Sequence, residues 1–442
     1  MLCGIDQLFG GSLSGLRRRL RSSRVAVLTH AASVDRRGRH LLDVLDELGA
    51  SPVVIFTPEH GFDADAQAEE AVADPDAPEP RGRSVDTPDA AEAVEDLDGS
   101  DGGADNEADG RAGNGNGVPT KIVSLYGATK ESLVPTREQL EGVDLLVIDL
   151  NDVGSRYYTY AWTALLAARR AQELGVHTLV LDRPNPISGD PATLEGAPQR
   201  EGYLSFVGLE PLPIRHALTL GELVAMFFER DGAALGADGA LSVVPTRGWE
   251  RFRTAQAWGR PFIMPSPNMP TVETALVYPG ACLIEGTNLS EGRGTTAPFQ
   301  LIGAPFLNGR DLAAALLEGG ALGALIRPAT FRPTFEKHAG ERCQGVMIHV
   351  TNPALFRPVA TFLRLVCLAR RQAPEEFAFR TEPYEFENEI PAFDLLTGSS
   401  AARNAIDEGA SVEEVVALVA PVDPAWKDVV TAAEERIDRA RA

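Results

Sequence analysis

At 442 residues with 44% hydrophobic side chains, the chain can bury a large core, and its length favours two domains over one. Its formal charge of −22, with arginine far outnumbering lysine, disfavours sequence-independent nucleic-acid binding. Apolar runs such as 143–150 fall well short of the roughly 20 residues a membrane helix requires, so no membrane span is expected.

Residues 1–24 mix Gly, Ser and Arg around isolated leucines, and no signal peptide is expected there. RVAVLTH at 24–30 reads as a buried strand. Apolar residues at helical spacing follow over 40–48. Strand signals recur at 53–56, 122–125, 143–150 and 178–181, with a long helical stretch over 158–174. Continuous Val, Ile and Leu strands alternating with helices predict an α/β fold, a Rossmann-like, doubly wound parallel sheet covering 1–240. Residues 63–118 interrupt it with 17 acidic and 3 basic side chains, a net charge of −14. Almost no large apolar residue occurs there, which predicts a disordered acidic insertion. Thr219 and Glu222 are spaced as a capping box for the helix LGELVAMFFE.

Beyond residue 240 the texture changes to Gly- and Pro-rich loops over 259–305. Helical patterns at 311–317, 360–370 and 412–418 and a short strand at 346–350 follow. A smaller α+β domain over 241–442, completing a cleft with the first, is expected. The four cysteines, Cys3, Cys282, Cys343 and Cys367, show no CxxC spacing, which points to a reducing, cytoplasmic compartment rather than a disulfide framework.

In open parallel sheets ligands bind beyond the carboxyl ends of the strands. Three polar segments leave such ends: TPEHG at 57–61, NDVGSRYY at 151–158 and RPNP at 183–186. Glu59 is the residue type a general acid requires, and His60 beside it could serve as acid or hydrogen-bond donor. Asp152 and Arg156, four apart, read equally as a local salt bridge or as substrate ligands. Tyr158 offers a face and a hydroxyl to a sugar, or simply core. Asn185 closes the third segment, and His216 precedes the capping box. The densest polar cluster is PSPNMPT at 265–271, with Asn268, and EGTNLSEGRGTT at 285–296, with Glu285, Asn288, Glu291 and Arg293. Two carboxylates, amides, a guanidinium and small residues that admit a ligand suit a polyhydroxylated substrate bearing an anionic group. GxGxxG after the first strand, GxxxxGK[ST], GxSxG and HxxxH are all missing, so no nucleotide cofactor, triad or metal is expected.

These segments, with SLYG at 124–127 and RHALTLGEL at 215–223, strongly resemble the NamZ-like exo-acting β-N-acetylmuramidases across nearly the whole chain. The resemblance implies a cleft between a Rossmann-like domain and a smaller α+β domain. It implies release of terminal N-acetylmuramic acid from peptidoglycan-derived chains, Glu59 as catalytic carboxylate, and Glu291 or Glu285 as candidate partner. Ala217 stands where the family typically has glycine, and 63–66 depart from its usual continuation after PEHG. The rival reading is a glycan-binding module without catalysis, which would keep the Asn, Tyr and Arg set and tolerate loss of Glu59.

Overall fold

The computed structural model describes residues 1–62, 120–320 and 322–442. The insertion expected at 63–118 lies outside the described residues. After helix α1 (Ser14–Ser22), six strands form one parallel sheet: β1 (Val25–Leu28), β2 (Val54–Thr57), β3 (Lys121–Ser124), β4 (Leu145–Ile148), β5 (His177–Leu181) and β6 (Leu241–Val244). Their order is β3-β2-β1-β4-β5-β6. The chain therefore winds outward from β1 in one direction and from β4 in the other, which opens a crevice at the carboxyl ends. Every residue of β1, β2 and β4 is buried, as the unbroken apolar strands require. Alternate side chains point to opposite faces. Ala26, Leu28, Phe56, Leu146 and Ile148 join the larger core, while Val25, Val27, Ile55, Leu145 and Val147 join the smaller.

Helices α2 (Leu41–Glu47), α3 (Tyr160–Glu173) and α4 (Leu220–Arg230) cross between the strands. The capping box at α4 is present. Thr219 Oγ1 accepts from the Glu222 N–H (3.2 Å), and the Glu222 carboxylate accepts from the Thr219 N–H (2.9 Å). Asp182, at the end of β5, accepts from the Thr219 hydroxyl and the Gly221 N–H (2.8 Å each), tying strand end to helix start.

The second half runs α5 (Val272–Ala281), β7 (Leu301–Ala304), α6 (Gly309–Glu318), β8 (Ala324–Phe331), β9 (Cys343–Val350) and α7 (Pro358–Gln372). Five short helices follow: α8 (Ala392–Thr397), α9 (Ala401–Asp407), α10 (Val412–Val419), α11 (Ala425–Thr431) and α12 (Ala433–Arg439). Its three strands pair antiparallel in the order β7-β9-β8, so α/β is followed by α+β. α5 lies very close to α7, because a Cβ on Gly280 would meet the Pro358 carbonyl oxygen at 2.1 Å.

The sequence places a domain boundary between 240 and 241. β6 pairs with β5 in register Val180↔Val243, so the first sheet extends past it. Beyond α12 the chain returns to this sheet: the Val243 N–H donates to the Ala440 carbonyl (2.7 Å) and the Ala442 N–H to the Val243 carbonyl (3.0 Å). Among the described residues no helix is long and apolar enough to cross a membrane.

Candidate active site

β2 ends at Thr57, and the chain turns through Pro58, Glu59, His60 and Gly61. The Gly61 N–H donates to the Pro58 carbonyl (3.2 Å). His60 and Gly61 are left-handed, with φ +73° and +76°, natural for glycine and strained for histidine. The turn aims Glu59 inward. It is 5% exposed, its Oε2 accepts from the Thr159 hydroxyl (2.7 Å), and His60 Nε2 stands 3.9 Å from its Oε1. The Tyr160 hydroxyl is shared between the carbonyls of Glu59 (3.2 Å) and Pro265 (2.8 Å). A strand-end turn and the start of α3 thus fix the carboxylate together.

Glu59, His60 and Tyr158 line one narrow pocket, closed from the second half by Asn268, Glu285 and Arg293. The Tyr158 ring packs edge-on to Tyr160 with centroids 4.7 Å apart, and burial pushes its phenol above the ordinary range. Glu285 arrives on the 3-10 turn Cys282–Gly286 that follows α5. Its Oε1 accepts from Arg293 (2.7 Å) and its Oε2 from the Tyr384 hydroxyl (2.6 Å). Arg293 is bracketed by Gly292 and Gly294, both left-handed, where a Cβ would strike the Leu301 carbonyl oxygen or the Phe335 backbone. Its guanidinium lies 5.1 Å over the Phe299 ring.

Among the residues of this pocket that escaped the sequence reading are Tyr384 and Glu385. They sit in a C-terminal loop that follows no strand. The Tyr126 hydroxyl, from the SLYG segment after β3, donates to Glu385 Oε2 (3.1 Å). Only the run of acidic and aromatic residues PYEFENE hinted at this loop.

The pocket is about 40 Å³ in volume, room for a few water molecules. Glu285 and Arg293 also line a neighbouring cleft of about 550 Å³, so this pair is the partition between the two spaces. The cleft holds a further residue missed in sequence, Lys337. Its Nζ lies 3.0 Å from Glu291 Oε2 and 3.0 to 3.3 Å from the carbonyls of Ile284, Glu285 and Leu289. Glu336 and His338 on either side are left-handed, with φ +62° and +59°. The one available signal was the rarity of lysine in this chain.

Several expected site residues lie outside the Glu59 pocket. Glu291 lines the cleft and not the Glu59 pocket. Burial opposes its charge, but Lys337 and Arg293 outweigh that and hold the carboxyl below its ordinary range, so it is an anchoring anion. Asn288 also lines the cleft, with its amide joined to Glu376 O (2.7 Å) and Ala378 N (3.0 Å). Arg156 forms no salt bridge with Asp152. Its guanidinium is buried and donates to the carbonyls of Ala197, Leu212 and Leu396. Asn185 is buried scaffolding that donates to Leu218 O (2.9 Å) and accepts from Ile187 N (3.0 Å). Asp152 faces a separate small crevice with Arg183 and Trp258. Its Oδ2 is 3.7 Å from the buried His216 Nε2. Burial pushes Asp152 up to about 7 and His216 down to about 3.

Models of the N-terminal and C-terminal parts of exo-beta-N-acetylmuramidase NamZ match residues 25–83 with 98–273, and 276–433. The chain belongs to the NamZ family. The peptidoglycan beta-N-acetylmuramidase NamZ of Bacillus subtilis (strain 168) is 37% identical over 414 residues, 93% of this chain and 86% of that relative. Two crystal structures of DUF1343 family proteins from Bacteroides fragilis NCTC 9343 share the fold, each at 24% identity. One has a TM-score of 0.74 and covers 99% of this chain and 98% of its own. The other has a TM-score of 0.61, covering 100% and 98%. The two NamZ parts meet between 273 and 276, beyond β6, and the N-terminal match skips 84–97, inside the acidic stretch.

Proposed function

We propose that this chain is an exo-acting glycoside hydrolase that releases terminal β-1,4-linked N-acetylmuramic acid from peptidoglycan fragments. The observation that carries this reading is Glu59, a buried carboxylate delivered by the PEHG turn to a pocket walled by both halves of a NamZ-family chain. Glu59 gives its proton to the glycosidic oxygen as the bond from C1 to that oxygen breaks. The bonding pair leaves with the oxygen, and positive charge spreads over C1 and the ring oxygen. His60 sits beside this carboxylate, while Tyr158 and Asn268 contact the sugar. Arg293 takes the lactyl carboxylate, since a guanidinium fork matches that group and Arg156 is committed to backbone carbonyls. All four cysteines are unpaired and buried, which supports work in a reducing, cytoplasmic compartment on internalised fragments.

A chromogenic N-acetylmuramide, compared with the matching N-acetylglucosaminide, tests the reading. Preferred hydrolysis of the first is expected, and on a β-1,4-linked N-acetylmuramyl disaccharide, whose sugar leaving group needs the proton, Glu59→Gln should lower kcat by about 10³-fold with an unchanged circular dichroism spectrum. Binding without turnover would leave a glycan-binding module in place of a hydrolase. Equal turnover of both glycosides would remove the assignment of Arg293.

A further inference from the structure

The pocket that holds Glu59 measures about 40 Å³ and the cleft beside it about 550 Å³. Sites that enclose a small organic ligand run to roughly 300–1,000 Å³, so the cleft has room for a sugar and the pocket has not. A sugar placed against Glu59 therefore needs both spaces at once. Between them stands the ion pair of Glu285 and Arg293 (2.7 Å), whose two residues line both.

The two sides of this pair are held very differently. Arg293 is fixed from several directions. It lies between two left-handed glycines that leave no room for a Cβ, and its guanidinium covers the Phe299 ring. Its Nε stands 3.3 Å from Glu291 Oε1, and Lys337 holds the other oxygen of Glu291 at 3.0 Å. Arg293 thus keeps one carboxylate partner if Glu285 withdraws. The backbone of Glu285 is anchored too, because the carbonyls of Ile284 and Glu285 accept from Lys337 Nζ. Its side chain is held less firmly. Oε1 accepts from Arg293 Nη2, and Oε2 accepts from the Tyr384 hydroxyl (2.6 Å), a phenol that burial keeps neutral. A hydrogen bond from a neutral donor is about half as strong as one from a cation. An incoming carboxylate can take the Nη2 edge of Arg293 where Glu285 gives it up, and rotation of one side chain into the cleft returns the displaced carboxylate to water.

We propose that Glu285 is the specificity latch of the site: it occupies Arg293 until the carboxylate of an anionic sugar replaces it, and this exchange joins pocket to cleft. A sugar without the anionic group cannot make the exchange. The proposal rests on the hydrolase reading above and gives Glu285 the selection of substrate, not the breaking of the bond. Calorimetric titration of the full chain with N-acetylmuramic acid and with N-acetylglucosamine reads the latch without turnover. Glu285→Gln keeps the side-chain volume and an acceptor for Tyr384 but removes the charge that competes for Arg293. It should bind N-acetylmuramic acid about ten-fold more tightly than the parent and N-acetylglucosamine more tightly as well. Its kcat on an aryl β-N-acetylmuramide should stay within about ten-fold of the parent. Should Glu285→Gln fail to fold, Tyr384→Phe, which loosens the same carboxylate, should tighten both sugars by about three-fold. Unchanged or weaker binding of either sugar by the folded variant overturns the proposal. A larger loss of kcat in Glu285→Gln overturns it too, since Glu285 would then act in the bond-breaking step. A parent that binds N-acetylmuramic acid without hydrolysing its glycosides would sink the hydrolase reading alone, because the affinities decide the latch.

Discussion

At Ala217 a single backbone angle carries a measurable cost. It is fully buried at φ +58°, where a Cβ is disfavoured by about 1–2 kcal/mol, and glycine returns roughly 0.5–1 kcal/mol of that through its freer unfolded chain. Ala217→Gly should therefore raise the urea midpoint, by about 0.5 kcal/mol in stability. The sequence reading noted only that the family typically has glycine here, and the left-handed angle supplies the physical reason for that preference. Glu59, His60, Tyr158 and Asn268 were legible because they leave strand ends or crowd a small-residue loop, and those places meet in a crevice. Arg156 and Asn185 follow strand ends in the same way, but the structure occupies both with backbone partners. The partners of Arg156 include a carbonyl 240 positions away, at Leu396, and no local spacing encodes that. Lys337 and Glu385 were hidden because neither lies in a loop that leaves the parallel sheet: Lys337 sits between β8 and β9 and Glu385 beyond α7, where no crevice rule applies.

Among the elements, the strands and the helix after Thr219 follow the hydrophobic period and the capping residues closely. β6 went unread because its four residues LSVV carry little pattern of their own and gain a place only by pairing with β5. The junction of α5 and α7 depends on the hydrogen of Gly280. Gly280→Ala gains helix propensity of about 1 kcal/mol, yet its methyl carbon would sit inside contact distance of the Pro358 backbone. The helices must move apart, and overpacking of a rigid backbone costs about 1–3 kcal/mol or more. A net loss of about 2 kcal/mol in chemical denaturation is expected. It should be accompanied by a rise in KM, because α5 runs directly into the turn that carries Glu285.

For the molecule as a whole, buried titratable groups make stability depend on pH in opposing ways. Burial pushes Asp152, Asp182 and Glu195 up to about 7. The folded chain thus keeps protons that the unfolded chain releases above about pH 4, and the stability they contribute at low pH is lost as pH rises from about 4 to 7. His30 and His216, pushed down to about 3 by burial, act the other way. The unfolded chain takes up their protons below about pH 6.5, so stability falls as pH drops from there toward 3. Asp152→Asn removes one carboxyl from this balance. Between pH 4 and 7 the parent should lose up to about 4 kcal/mol relative to the variant in urea unfolding, and parallel pH profiles would refute a protonated Asp152.

The return of residues 440–442 to lie along β6 has a consequence for biosynthesis. During translation the outer ladder of the sixth strand stays bare while the whole α+β half is still emerging from the ribosome. Bare ladders recruit strands from other nascent molecules. Shortening this cover should therefore show first as insoluble product in the cell, before any purified sample reveals weaker folding.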